Sequence, residues 1–275
     1  MDPAIDFIVG PFQYSFMIRA LVVSVLVGVM CPVLGAYVVT RGMAFMGDAL
    51  AHAVLPGVAL AVIIGVSAFV LAVPLGIAVA LLIGLLSKRT GISEDTSIGI
   101  LFAGMFAIGL ILLSARSGIG VNVEDLLLGQ VLGVTTTDVY VSLGLTALVA
   151  LGLYGFHDRL VFTSFDPVGA QVIGIKTGMV NYVLLVLLAL VIVVGIQAAG
   201  IVLVMAMLVT PAATAYLLVR RFVTMMVAAA CIGAASAVVG LYISFHLDLP
   251  TGPAMTLVAT GFFLLVAATR RRTRV

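Results

Sequence analysis

Long apolar runs separated by short polar breaks dominate the sequence. A helix of about 20 apolar residues spans the ~30 Å hydrocarbon core of a bilayer, and helices satisfy their backbone polar groups internally. Hydropathy places such runs at residues 14–39, 43–64, 66–87, 97–113, 139–156, 179–195, 200–219, 223–245 and 252–269. The chain is therefore predicted to be an all-α, multi-pass integral membrane protein.

The number of spans depends on one uncharged junction. The runs at 179–195 and 200–219 are joined by Gly195-Ile-Gln-Ala-Ala-Gly200, which carries no charge, so one of the two runs is expected to be bent, short or re-entrant. The sequence thus predicts eight or nine transmembrane helices. The composition, 64% hydrophobic and 9% charged, excludes a soluble domain, so residues 1–275 are expected to form a single transmembrane domain.

Basic residues predict how the runs are oriented. When the runs alternate across a bilayer, all Lys and Arg residues except Arg19 and Arg116 lie on the same side. That side contains Arg41, Lys88, Arg89, Arg159, Lys176, Arg220, Arg221, Arg270, Arg271, Arg272 and Arg274. By the positive-inside rule it faces the cytoplasm. We expect a cell-membrane protein with a cytoplasmic C-terminus, and with an external N-terminus if nine runs cross.

A polar pair, Asp48 and His52, interrupts the second apolar run. Residues spaced i, i+4 lie on one helix face about one turn apart, so the two side chains can share a ligand. Counting about 1.5 Å of rise per residue places His52 near the bilayer midplane. Intramembrane ionisable residues are costly and usually face a partner or a water-filled path. A carboxylate with an imidazole suits Mn²⁺, Zn²⁺ or Fe²⁺ better than Cu(I), although packing alone is the alternative explanation.

Two prolines mark positions where a helix can bend. Pro56, followed by Gly57, lacks the N–H that would bond the His52 carbonyl, so that oxygen is a further potential ligand. Pro211 similarly frees the carbonyl of Met207. Gating is predicted at these positions, with close helix packing as the alternative for Pro211.

One copy of the chain supplies too few ligands for a transition metal, which takes about four or more. A two-fold dimer with the second helix on its axis would supply two Asp and two His side chains. The residues therefore predict a homodimer. We expect the metal to be cargo, with no permanently bound cofactor.

A short cytoplasmic helix is predicted within residues 164–175. Asp166 suits the N-cap, Pro167 the first helical position and Gly174 the C-terminal stop. Elsewhere the sequence contains no G-x-x-x-x-G-K-[ST], H-E-x-x-H or G-x-S-x-G motif. We therefore expect a transport subunit and not an enzyme, with no nucleic-acid partner.

Several blocks resemble the permease subunits of manganese and zinc ABC importers. The run Arg41-Gly-Met-Ala-Phe-Met-Gly-Asp-Ala-Leu-Ala-His-Ala-Val-Leu-Pro-Gly-Val-Ala-Leu60 is similar to that family's signature. Further similar blocks follow in the same order as in the family, at Leu126–Gly133, Ser164–Gly174 and Ala199–Ala215. Met207, Thr210 and Gly169 are mild departures from the family pattern.

The resemblance implies a vitamin-B12-permease-like, type II ABC importer architecture, in which the whole chain is one permease domain. It implies a homodimer, cytoplasmic ATPase subunits and an external metal-binding protein that delivers the ion. It also implies that Asp48 and His52 contact the metal in the translocation path. The coupling helix would contact the ATPase through Ser164, Phe165, Asp166, Pro167, Ala170 and Gly174.

Two alternatives stay open at this point. An ABC permease for a siderophore or cobalamin would not need a metal-ligand pair in the path. A proton-coupled secondary transporter would use Asp48 and His52 as a proton relay. The identity of the metal is also open, because the affinities of Asp and His for these divalent ions overlap.

Overall fold

The structure, a computed structural model, describes residues 10–114 and 133–272, apart from the side chains of 197–199 and 270–272. Within these ranges the chain is helical, without a β-strand. Most of the Leu126–Gly133 block lies outside the described residues. The helices are α1 (Ser15–Thr40), α2 (Met46–Ala53), α3 (Leu55–Ile64), α4 (Ala68–Thr90), α5 (Glu94–Ser114), α6 (Thr136–Phe165), α7 (Pro167–Val172), α8 (Thr177–Ile196), α9 (Gly200–Leu218), α10 (Phe222–Leu247) and α11 (Thr251–Arg272).

Nine helical segments in the described part of the chain are long and apolar enough to cross a membrane. Helices α2 and α3 together make one of them, Met46–Ile64, and α7 is far too short to be counted. The nine candidates agree with the higher of the two predicted numbers of spans.

The junction between α8 and α9 is a tight reversal. Helical hydrogen bonding runs through Thr177–Leu218, but Gly200 has φ 81° and ψ 168°, a conformation that glycine alone adopts readily. Gly195 packs directly against the Val204 side chain. In a straight helix these residues would lie about 13.5 Å apart along the axis. The two runs therefore form an antiparallel hairpin, and the bend that the sequence left unplaced is at Gly200.

Helix α1 lies at the centre of the bundle, where glycines let neighbouring backbones approach. A Cβ atom at Gly28 would lie 2.8 Å from the carbonyl oxygen of Gly233 in α10. Gly35 packs directly on the backbone of Leu208 in α9, and Tyr37 beside it is fully buried. Small residues are the usual means of close helix packing in lipid. By contrast, α5 is the most exposed of the candidate spans, so it borders the bundle.

Candidate functional site

Asp48 and His52 lie on one face of α2, one turn apart. The imidazole Nδ1 is 3.1 Å from the Asp48 backbone carbonyl oxygen, to which it is hydrogen-bonded, and 2.9 Å from Asp48 Oδ1. Oδ1 is itself buried, and its partner among the described residues is this contact with the imidazole. The pair therefore presents an oxygen that a cation would stabilise.

The His52 ring is held by two aromatic side chains of α5. Ring centroids lie 5.4 Å away at Phe102 and 5.1 Å away at Phe106, with the planes steeply inclined to the imidazole. The two phenyl rings are themselves stacked 5.9 Å apart. Edge-to-face contacts of this kind restrict the orientation of the imidazole. Sequence reasoning missed both residues, because nothing in an apolar run shows which phenylalanines face a polar group.

The span that carries the pair is interrupted directly after it. Helix α2 ends at Ala53, α3 begins at Leu55, and Pro56 lies in the first turn of α3. Pro56 has no N–H to donate to the carbonyl oxygen of His52, which explains the interruption. At Gly57 a Cβ atom would lie 2.9 Å from the carbonyl oxygen of Leu71, so α3 packs closely on α4 there.

The described part of the chain does not complete a metal site by itself. Among the described residues, no cluster of three or more His, Cys, Asp and Glu side chains exists that could hold a metal ion. Asp48 and His52 remain part-exposed, at 31% and 17% of their side-chain surface. The polar pair is therefore accessible, and additional ligands would have to come from outside the described residues or from backbone oxygens.

The short helix α7 has the caps that the sequence indicated. Asp166 precedes α7, and its Oδ1 accepts a 2.8 Å hydrogen bond from the Gly169 N–H. Gly174 follows with φ 85° and stops the helix. A Cβ at position 169 would collide with the Asp166 carboxylate, so Gly169, one of the departures from the family pattern, accommodates this cap. Ala170 is buried and anchors α7 to the bundle.

The other predicted contact residues of this segment lie at the end of α6 and the start of α7. Ser164 lies in the last turn of α6 and donates to the carbonyl oxygen of Leu160 at 2.6 Å. The Phe165 side chain is largely exposed and its ring packs edge-on against Phe222, with centroids 5.7 Å apart. Pro167 occupies the first turn of α7, as predicted.

Pro211 lies inside α9, where the backbone keeps helical dihedral angles. Ala212 and Ala215 beside it are buried against Ala36 of α1. The non-helical backbone of this region is at Gly200, so the sharpest bend is not at the proline. Gating at Pro211 stays a prediction.

A partly buried arginine outside the predicted site connects several helices at the basic end of the bundle. The Arg41 guanidinium donates to Ser164 Oγ at 2.9 Å, Thr163 Oγ1 at 3.1 Å and Asn181 Oδ1 at 2.8 Å. The Asn181 amide in turn donates to Glu94 Oε1 at 2.6 Å. We refer to Arg41, Glu94, Thr163, Ser164 and Asn181 as the Arg41 network. In the sequence, the one indication of this network was that Arg41 is the first residue of the block similar to the family signature.

Comparison with known proteins decides the class of this bundle. The model of the ABC 3 transport family matches residues 13–270. The chain belongs to the ABC 3 transport family. The predicted ABC permease family and fold are therefore confirmed, and a proton-coupled secondary transporter is not supported. As an ABC 3 permease, the chain is a multi-pass membrane subunit whose family implies ATPase and substrate-binding partners.

Individual ABC 3 relatives align with nearly the whole chain. The manganese transport system membrane protein MntC of Halalkalibacterium halodurans is 46% identical over 92% of this chain and 87% of its own length. The chelated iron transport system membrane protein YfeD of Yersinia pestis is 38% identical over 96% of this chain and 89% of its own length. PsaBC from Streptococcus pneumoniae, solved with a Fab, superposes with a TM-score of 0.85 at 36% identity, over 96% of this chain and 95% of that one.

Proposed function

We propose that this chain forms, as a homodimer, the translocation path of an ATP-driven importer of a divalent transition-metal ion, with Mn²⁺ as the first candidate. The observation that carries the proposal is the Asp48–His52 pair, in which the buried Oδ1 of Asp48 lies 2.9 Å from His52 Nδ1 within a membrane span. Such a carboxylate oxygen is a ready ligand for a cation in transit. The metal is the cargo and not a resident cofactor.

The donor types narrow the cargo. Carboxylate oxygen and imidazole nitrogen suit Mn²⁺, Fe²⁺ and Zn²⁺, whereas Cu(I) prefers thiolate or thioether sulfur. Relatives named for manganese and for chelated iron fall within this set. Mn²⁺ is the first candidate for the cargo because the relative at 46% identity is named for manganese transport. A siderophore or cobalamin importer would have no use for the pair.

A second copy of the chain would complete the site. The two side chains of one chain fall short of the about four ligands that a transition metal takes. A two-fold axis beside α2 would bring a second Asp48 and His52 to the same ion. The partial exposure of both side chains is compatible with such a contact.

The ATPase subunits would dock on α7 at the cytoplasmic side, where the basic residues and the C-terminus are proposed to lie. Val168, Val172 and Ile173 are 69%, 82% and 66% exposed, which is unusual for apolar side chains at an aqueous surface. Together with Phe165 they form an apolar surface on a helix that is rigidly capped by Asp166. The external metal-binding protein would deliver the ion at the opposite end of the bundle.

Metal uptake into proteoliposomes tests this function. The permease is reconstituted with its ATPase subunits and metal-binding protein, and uptake of radioactive Mn²⁺ is followed with and without ATP. We expect ATP-dependent uptake that Zn²⁺ or Fe²⁺ inhibits and that an uncoupler of the proton gradient leaves intact. Inhibition by a ferric siderophore, with none by free metal ions, would contradict the proposed cargo.

The site itself is tested by Asp48→Ala and His52→Ala. Both variants are expected to abolish most uptake, because each removes one ligand from every copy in the dimer. Asp158→Ala, which removes an exposed carboxylate from α6, is the matched control and should retain uptake. Uptake unchanged in both site variants would exclude the Asp48–His52 pair as the site.

A further inference from the structure

We propose that Arg41 is the positioning residue that couples movement of α7 to the Asp48–His52 pair. The inference rests on the proposed function and assigns a role within it to a residue that contacts neither the metal ion nor ATP. It follows from the Arg41 network, which connects the segments flanking α7 with the two helices that shape the polar pair.

The first part of the connection joins Arg41 to the chain segments on both sides of α7. Thr163 and Ser164 belong to the last turn of α6, directly before α7, and Asn181 belongs to the first turns of α8, directly after it. Arg41 donates a hydrogen bond to each of the three, at 3.1, 2.9 and 2.8 Å. A displacement of α7 relative to α1 would therefore break bonds to this one side chain.

The second half leads to the polar pair by two routes. Along the chain, Arg41 is followed by Gly42, at φ 71°, and then by α2, which carries Asp48 and His52. Through space, Asn181 donates to Glu94 at the first residue of α5. Two turns or more along α5, Phe102 and Phe106 pack against the His52 ring. Both routes are continuous in packed or bonded residues.

The chemistry of the guanidinium suits this role. Arg41 is partly buried beside a polar cavity of about 450 Å³ whose walls include Glu94, Pro167 and Thr177. Burial lowers the pKa of Arg41 below its usual value, and the nearby Glu94 opposes that shift. A guanidinium presents several donors in a rigid fork, whereas a lysine ammonium is a single point of charge on a flexible stem. Lysine would keep the charge but not the simultaneous bonds to α6 and α8.

The test measures transport and ATP hydrolysis together in the reconstituted complex. Arg41→Lys and Arg41→Ala are compared with wild type for Mn²⁺ imported per ATP hydrolysed, using the metal-loaded binding protein as stimulus. We expect both variants to hydrolyse ATP while importing roughly tenfold less metal per ATP, within the usual range of coupling between sites. Arg89→Lys, which alters an exposed arginine at the end of α4, is the control and should match wild type.

A structural role alone would give a different result. If import and ATP hydrolysis fall in parallel, so that metal imported per ATP is unchanged, the inference is overturned. If either Arg41 variant fails to assemble with the ATPase, metal imported per ATP is measured in Asn181→Ala instead. That variant removes the connection to Glu94 and leaves Arg41 bonded to Thr163 and Ser164. A wild-type complex that imports no metal would instead contradict the proposed function.

Discussion

The ring of Phe106 packs edge-on against the imidazole of His52, with centroids 5.1 Å apart, although the two residues belong to different spans. Phe102 makes a similar contact from one turn away on the same helix. The orientation of the proposed metal ligand is therefore determined by α5 and not by its own helix alone. Any movement of α5 would change how His52 presents its nitrogens.

Replacing Phe106 with leucine is expected to weaken metal binding. Aromatic pair contacts contribute about 0.5–1.5 kcal/mol beyond burial, so the loss corresponds to roughly a two- to tenfold rise in the Kd for Mn²⁺. Isothermal titration calorimetry on the purified permease measures this Kd. Phe263→Leu in α11 removes the same ring far along the chain from the site and should leave the Kd unchanged. An unaltered Kd in Phe106→Leu would show that His52 needs no support from α5.

Pro56→Ala is expected to join α2 and α3 into a continuous helix. The alanine N–H can bond the His52 carbonyl oxygen, which proline cannot. Thermal stability should be maintained or raised, whereas ATP-driven uptake should fall because the interruption after the polar pair is lost and the span is straightened. Pro74→Ala, inside α4 on an exposed face, is the control and should retain uptake. Full uptake by Pro56→Ala would mean that the interruption has no role in transport.

Gly200→Ala is expected to destabilise the hairpin of α8 and α9. At φ 81° and ψ 168° a side chain is strained, at a cost of about 1–3 kcal/mol. The thermal unfolding temperature in detergent should therefore drop. Gly104→Ala is the matched control, because a Cβ there meets no atom within 4 Å and α5 is a regular helix. Alanine is favoured over glycine in a helix by about 1 kcal/mol, so the control should be neutral or stabilising.

Asp166→Ala is expected to weaken the association of the ATPase subunits. The variant loses the N-cap bond to Gly169, and such caps contribute about 0.5–2 kcal/mol. Co-purification of the ATPase with the permease, titrated in detergent, gives the apparent affinity. Asp138→Ala is the control. It removes a comparable capping interaction, the capping box of Asp138 and Thr135, at the start of α6, which is the end of α6 far from α7. Equal ATPase affinity in the two variants would contradict docking on α7.

The sequence predicted the spans well because their signal is local. A run of about 20 apolar residues is long enough to cross a bilayer whatever it packs against, so the nine runs correspond to nine helical segments. The caps of α7 were predictable for the same reason, since Asp166, Pro167 and Gly174 act on their immediate neighbours. Asp48 and His52 could be singled out because a charge is costly in an apolar run, and their shared face follows from helical periodicity.

The tertiary structure decided which distant residues meet. The reversal at Gly200 could not be placed from an uncharged junction, because a kink and a hairpin have the same hydropathy. The contacts of Phe102 and Phe106 with His52, and of Arg41 with Thr163, Ser164 and Asn181, join residues 50 to 140 positions apart in the chain. Local composition fixes where a helix forms and which residues share its face. Only the packing of one helix on another selects the side chains that hold His52 and connect it with α7.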